Sequence, residues 1–217
     1  MTNGSDYEKI QDRLEEINEI VAAKAQNQVN LIAVTKGFTH EEVNVATELG
    51  IKNFGENYAQ ELLAKNPLVN AEISWHYIGQ LQSNKVRKVS HLVDVWHSVT
   101  SLKLAREIHK RNDQAQILLQ VSLMGPSNSK GFEVEQLPQL ISELRDMNID
   151  ISGLMTMGVP VDMVATRVVF KELRKLADTF ELPECSMGMS DDFEIALESG
   201  ASMIRVGSAI FGNRRPD

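Results

Sequence analysis

The chain has 217 residues, with 22 Lys and Arg against 30 Asp and Glu, for a net charge of −8. That length bounds it to one domain or two small ones with a sizeable core, and the acidic balance argues against a nucleic-acid or anionic-membrane surface, which needs a basic patch. Its 42% hydrophobic and 24% charged residues are those of a globular chain, not a disordered one.

The longest stretch without a charge, 114–129, is broken by Gln, Ser, Pro and Asn, so it does not read as a bilayer span. Residues 1–6 have no basic start and no apolar core, so no secretory signal is expected. A lone Cys185 cannot form an internal disulfide, and no Cys/His cluster has zinc spacing. Cytoplasmic residence is the resulting expectation. With 6 prolines, no low-complexity stretch and no shift in composition, the chain reads as a single domain over 1–217.

Taken in order, the first element is a helix. Ser5 and Glu8 have capping-box spacing, and Tyr7, Ile10, Leu14, Ile17 and Val21 recur at three- and four-residue steps to give one apolar face. Strand-like runs rich in β-branched residues then alternate with helical patterns. Val29–Thr35 reads as a strand, and Thr39 with Glu42 forms a second capping box, opening a helix that Gly50 ends. Strands follow at 51–55, 73–79, 92–99, 117–123, 151–155, 185–188 and 203–206. Helices are predicted at 58–65, 84–89, 101–111, 134–147, 163–180 and 192–199, with a stub near Ala209. Eight βα units after one leading helix imply right-handed crossovers and a parallel sheet. They point to a (β/α)₈ TIM barrel with one extra N-terminal helix. An open doubly wound sheet expects a Gly-rich turn after the first strand, where this chain has Val34-Thr35-Lys36.

Barrels of this kind carry function at the C-terminal ends of their strands. Lys36 follows the apolar run 31–34, where desolvation lowers an amine's pKa and makes it a nucleophile toward aldehydes, giving a Schiff base. A lysine there can equally snorkel to solvent. Ser190, Gly207 and Ser208 sit in the loops after strands seven and eight, the usual phosphate site of the fold. Ser190 reads equally as the N-cap of the helix beginning at Asp192. Arg205 alternates with Ile204 and Val206, so it points into the barrel and must meet an acceptor there. Glu56 and Asn57 end a strand and could cap the next helix. His76 reads as a core histidine, and His97 as the better functional candidate of the two. Met155, Met157, Met187 and Met189 read as core filler, Cys185 as a small core residue, and Lys85, Arg87 and Lys88 as a solvated face.

Several stretches carry a resemblance: Phe54-Gly55-Glu56-Asn57-Tyr58, residues 75–85, Ser186-Met187-Gly188-Met189-Ser190-Asp191-Asp192, Ala33-Val34-Thr35-Lys36, Gly153-Leu154-Met155, and residues 205–212. From about Leu31 to Gly212 the chain resembles the pyridoxal 5′-phosphate (PLP) homeostasis protein family, single-domain PLP-binding barrels similar to the N-terminal domain of alanine racemase. The resemblance implies that Lys36 forms the Schiff base with PLP, that Arg205 faces the pyridine nitrogen, and that Ser190, Gly207 and Ser208 cradle the phosphate, with Asn57 near the ring. One loop departs from the pattern. The family has lysine, one residue, then glycine after strand five, whereas here Asn128-Ser129-Lys130 runs directly into Gly131. Lys130 is therefore left out of the site.

Three functions compete. The first is intracellular PLP homeostasis, a carrier or buffer without robust catalysis that hands PLP to apo PLP-dependent enzymes. The second is a PLP-dependent enzyme on small amino acids, such as a racemase. The third is a cofactor-free Schiff-base enzyme on a phosphorylated metabolite. A racemase of the resembled type uses a second domain, and the sequence given runs only five residues past Gly212. That favours the carrier, with the chain as a monomer or weak dimer and PLP as its ligand.

Overall fold

The computed structural model describes residues 4–123 and 131–213, with the side chains of Gly4 and Ser5 outside the description. The Ser5–Glu8 capping box and Lys130 therefore fall beyond the described residues.

The leading helix α1 (Gly4–Lys24) precedes eight strands: β1 (Asn30–Val34), β2 (Asn53–Glu56), β3 (Ser74–Tyr77), β4 (Val95–Val99), β5 (Gln116–Gln120), β6 (Ile151–Met155), β7 (Glu184–Ser186) and β8 (Met203–Val206). Between and after them lie α2 (His40–Glu48), α3 (Ala59–Lys65), α4 (Val86–Val89), α5 (Leu102–Arg111), α6 (Leu137–Asp146), α7 (Met163–Thr179), α8 (Phe193–Glu198) and α9 (Ser208–Phe211). The strands pair in parallel and in sequence order, and β8 returns to β1 with Arg205 opposite Ile32. The predicted (β/α)₈ barrel is the observed fold.

Local chemistry sets the helix starts. The Thr39–Glu42 capping box is present at α2, with the Thr39 amide donating to Glu42 Oε2 at 2.8 Å. Gly50, at φ +92°, then turns the chain from α2 toward β2. Ser101 accepts from the Leu104 amide at 3.2 Å, and Asp162 from the Ala165 amide at 2.9 Å, each satisfying an end donor that the helix cannot.

The main apolar core is the shell between barrel and helices. It takes the outward residues of the strands, such as Phe54, Trp75, Tyr77 and Trp96, together with the inner faces of the helices, including Ile10, Leu14 and Ile17 of α1. Each fully buried Leu or Ile there contributes roughly 1.5–3 kcal/mol. The lumen has a smaller apolar cluster of its own, Ile32, Val95, Leu118, Met155 and Met203. Polar residues hold several of the other inward positions, among them His76, His97, Ser186 and Arg205, and they lead to the site. No described helix is long and apolar enough to cross a membrane.

Candidate functional site

A cavity of about 560 Å³ opens at the C-terminal ends of the strands. Lys36, Asn57, Ser190, Arg205, Gly207 and Ser208 all line it, with Val34, Ile78, Met155, Met157, Met189 and Asp191 among its other walls. Six residues spread over 172 positions of sequence thus meet at one opening.

Lys36 does not end a strand. Strand β1 stops at Val34, and the Phe38 amide donates to the Thr35 carbonyl at 3.0 Å, closing a turn with Lys36 near its tip. Gly37 takes φ +76° in that turn, a conformation in which a side chain is strained. Lys36 is half-buried. Asn57 follows β2. Its carbonyl accepts from the Tyr77 hydroxyl at 3.0 Å, and Gly79 lies so close that an added Cβ would be 2.0 Å from the same oxygen. Its side-chain Oδ1 is buried, with no hydrogen-bond partner among the described residues.

Arg205 points inward, as its alternation implied, and is 4% exposed. Its partners are neutral: Nη1 donates to Ser186 Oγ at 2.6 Å and Nη2 to the Thr156 carbonyl at 3.1 Å. Burial lowers its pKa to about 10, an effect the Asp192 charge opposes, so the guanidinium stays charged at neutral pH. These two bonds use two of its five N–H donors.

Behind Ser186 runs a chain of hydrogen bonds that lies outside the residues predicted for the site. Ser186 Oγ is 2.7 Å from His97 Nδ1, His97 Nε2 is 2.8 Å from His76 Nδ1, and His76 Nε2 is 3.2 Å from Asn53 Oδ1. The Asn53 oxygen only accepts, so His76 carries its proton on Nε2. His76 Nδ1 then accepts from His97 Nε2–H, and His97 Nδ1 accepts the Ser186 hydroxyl proton. Burial keeps both rings neutral, and with one proton each this arrangement satisfies every nitrogen in the file. Burial holds His76 down at about 4, and burial, then His76 and Arg205, hold His97 well below the usual histidine range. His97, expected to be the more functional of the two, is fully buried, and both histidines lie outside the cavity lining, behind Ser186.

Other expectations need correction. Ser190 is not the N-cap of α8, whose cap is Asp192. Its Oγ instead accepts the amides of Gly207 and Ala209, each at 3.3 Å, at the start of α9. Asp192 turns inward and accepts the Met189 amide at 2.6 Å, while Asp191 does border the cavity. Glu56 caps nothing. It is fully buried and paired with Lys65, as described below. Met155 and Met187 are buried, but Met157 and Met189 are 46% and 38% exposed on the cavity wall, so they are rim rather than filler. Cys185 is a core residue whose thiol burial pushes up to about 12.

The barrel and its cavity define a class. The family described as alanine racemase, N-terminal domain, matches residues 5–215. Among curated relatives, the pyridoxal phosphate homeostasis protein of Aquifex aeolicus is 35% identical over 210 residues, covering 89% of this chain and 91% of the relative. That of Synechocystis sp. is 38% identical over 212 residues, covering 91% and 96%. The solved structure of PipY from Synechococcus elongatus with PLP bound matches at TM-score 0.84 and 32% identity, covering 94% of this chain and all of that one. The chain belongs to the alanine racemase N-terminal domain family and, within it, to the pyridoxal phosphate homeostasis proteins.

Proposed function

We propose that this protein binds PLP covalently through Lys36 and acts as a carrier and buffer in intracellular PLP homeostasis. The observation that carries the reading is the convergence on one cavity of an amine, a buried guanidinium and two serines beside Gly207. The names of the relatives and the PLP-bound neighbour support the choice of ligand.

Bound PLP supplies an aldehyde that condenses with an amine, with loss of water, and a pyridine ring that can draw electrons from an attached amino acid. The residues present fit that group. Lys36 offers the amine. Ser190 and Ser208 offer hydroxyls to the phosphate, and the Gly207 amide, which here donates to Ser190 Oγ, would exchange that bond for a phosphate oxygen. Asn57 would border the ring as part of the cavity wall. Arg205 is charged and can only donate, so it holds a ring nitrogen as an unprotonated acceptor. An unprotonated ring is a weak electron sink, which suits holding PLP better than turning over amino acids. Apo PLP-dependent enzymes are the proposed recipients, the cytoplasm the proposed compartment, and a monomer or weak dimer the proposed state.

The test is borohydride reduction of the PLP-loaded protein followed by peptide mapping. The pyridoxyl group should fall on Lys36; an adduct mainly on Lys85 or Lys130 overturns the assignment. The loaded protein should restore an apo PLP enzyme yet turn over no common amino acid, and robust turnover lost on Lys36→Ala would favour the enzyme instead. Ser208→Asp should weaken PLP far more than pyridoxal, which lacks the phosphate, since charge-assisted hydrogen bonds of roughly 1.5–3 kcal/mol each are at stake. Equal loss for both ligands puts the phosphate elsewhere.

A further inference from the structure

The turn bearing Lys36 is held from outside the cavity by a buried cation. Lys65, the last residue of α3, is 6% exposed. Its ammonium donates to the Thr35 carbonyl at 2.7 Å, to Glu56 Oε1 at 2.6 Å and to Glu61 Oε2 at 2.8 Å, which uses all three of its N–H groups. The same Glu61 oxygen accepts the Gly37 amide at 2.9 Å, and the same Glu56 oxygen accepts the Thr35 hydroxyl at 2.6 Å. The Thr35 carbonyl belongs to the peptide unit before Lys36, and the Gly37 amide to the unit after it. Both peptide planes that flank the Lys36 Cα are therefore tied to α3, one directly through Lys65 and one through Glu61.

We propose that Lys65 is a positioning residue for Lys36: with Glu61 it clamps both flanking peptide groups and so sets the direction in which the Lys36 side chain enters the cavity. The proposal rests on the reading that Lys36 takes the PLP aldehyde.

Packing alone does not call for this arrangement. Buried ion pairs are commonly replaced by apolar residues at no loss of stability, because desolvation cancels most of their attraction. Here the cluster leaves Glu56 Oε2 buried with no partner, and burial raises the Glu56 carboxyl pKa against the pull of Lys65 and Thr35. What a charged cluster provides that an apolar one cannot is direction, a fixed donor for one named carbonyl and a fixed acceptor for one named amide. A nucleophile must be held near its attack geometry to react efficiently. Lys36 lies outside the strand ladder, so its backbone needs such a hold.

Two variants test the clamp. Lys65→Met removes all three donors. Glu61→Gln keeps the Glu56–Lys65 pair, so it preserves the fold if Lys65→Met does not, and it replaces the charged acceptor of the Gly37 amide by a neutral one. In protein without PLP, exchange of the Gly37 amide should rise about tenfold in Glu61→Gln, the difference between a charge-assisted and a neutral hydrogen bond. It should rise further in Lys65→Met. Formation of the borohydride-trapped adduct on Lys36 should slow in the same order. Pyridoxine 5′-phosphate, which has no aldehyde, should bind both variants as it binds the parent. Unchanged Gly37 exchange together with an unchanged trapping rate in Glu61→Gln overturns the proposal, as does an equal loss of pyridoxine 5′-phosphate affinity, which would mark general scaffolding. If the parent protein itself gives no adduct on Lys36, the Lys36 reading fails, and the exchange data still decide whether the clamp exists.

Discussion

Lys36 and Arg205 reach the same cavity, yet the polar groups behind them differ in kind. Behind Lys36 the groups are ionic: one ammonium between two carboxylates, Lys65 between Glu56 and Glu61. Behind Arg205 they are neutral: Ser186, His97, His76 and Asn53 in a single file of hydrogen bonds. In that file the buried side-chain atoms are all partnered, whereas the ionic cluster carries the orphan Glu56 Oε2. The difference follows from what each must hold. Lys36 sits on a turn whose backbone needs an anchor, and a charged group gives the most directional one. Arg205 is already a buried cation, and a protonated His97 beyond Ser186 would add a second positive charge in a low-dielectric lumen. A neutral chain orients the guanidinium without competing with it.

Breaking the ionic side should have the largest effect. Removing one partner of a buried pair leaves an uncompensated charge, so Lys65→Met should cost about 3–5 kcal/mol. If the loss comes from the stranded carboxylate, adding Glu56→Gln should recover most of it. Urea unfolding of the two single variants and the double one measures the coupling. A double variant as unstable as Lys65→Met alone would mean that the lysine acts through packing, and the contrast between the two networks would lose one of its terms.

How much of this was legible in the sequence depends on the range of the signal. The strands 151–155 and 203–206 are readable to the residue because a short apolar run next to a helical pattern is a local signal. All six candidate residues line one cavity, and five of them are legible from the strand-end rule and the inward alternation of Arg205. Asn57 alone needed the resemblance to be chosen over its neighbours. The two networks were missed for different reasons. Lys65 ends a helix, where a cation is what the helix dipole favours, so nothing marked it as buried. Ser186 and His97 are 89 positions apart, and no spacing rule joins them. A signal was nevertheless present. The alternation that turns Arg205 inward, carried along each strand, also puts Asn53, His76, His97 and Ser186 on inward positions.

The neutral side should show itself through pH. A histidine buried neutral binds fewer protons folded than unfolded once the pH falls below about 6.5, so stability is full above that value and drains away below it. For His76, held at about 4, the loss is about 1.4 kcal/mol per pH unit and reaches roughly 3 kcal/mol by pH 4. His97 contributes in the same direction. Glu56 has the opposite sign: its raised pKa means that the folded state binds the extra proton first, so its contribution grows as pH falls toward the usual carboxylate value of 4.5 and is complete below it. Replacing His76 by Gln, which keeps a donor and an acceptor, should flatten the decline between pH 6.5 and 4. An unchanged slope in denaturant unfolding across that range would place the titrating group elsewhere.

The smallest effect comes from the joint between Arg205 and the histidines. Ser186 does two things with one hydroxyl: its oxygen accepts from Arg205 at 2.6 Å, and its proton goes to His97 Nδ1 at 2.7 Å. Ser186→Ala leaves a buried donor and a buried acceptor unmatched, and should cost about 1–3 kcal/mol. The change should also be felt as a shift in the ring-nitrogen resonances of His97, with Nδ1 losing its donor while Nε2 keeps its proton. The ionic side should not respond. No atom or partner is shared between the Ser186 file and the Glu61–Gly37 contact, so Ser186→Ala combined with Glu61→Gln should be additive within about 0.5 kcal/mol. Gly37 exchange in the Ser186 variant should match that of the parent. A coupling well beyond that margin would join the two networks through the cavity wall, and Lys36 and Arg205 would then be held by one connected scaffold instead of two independent ones.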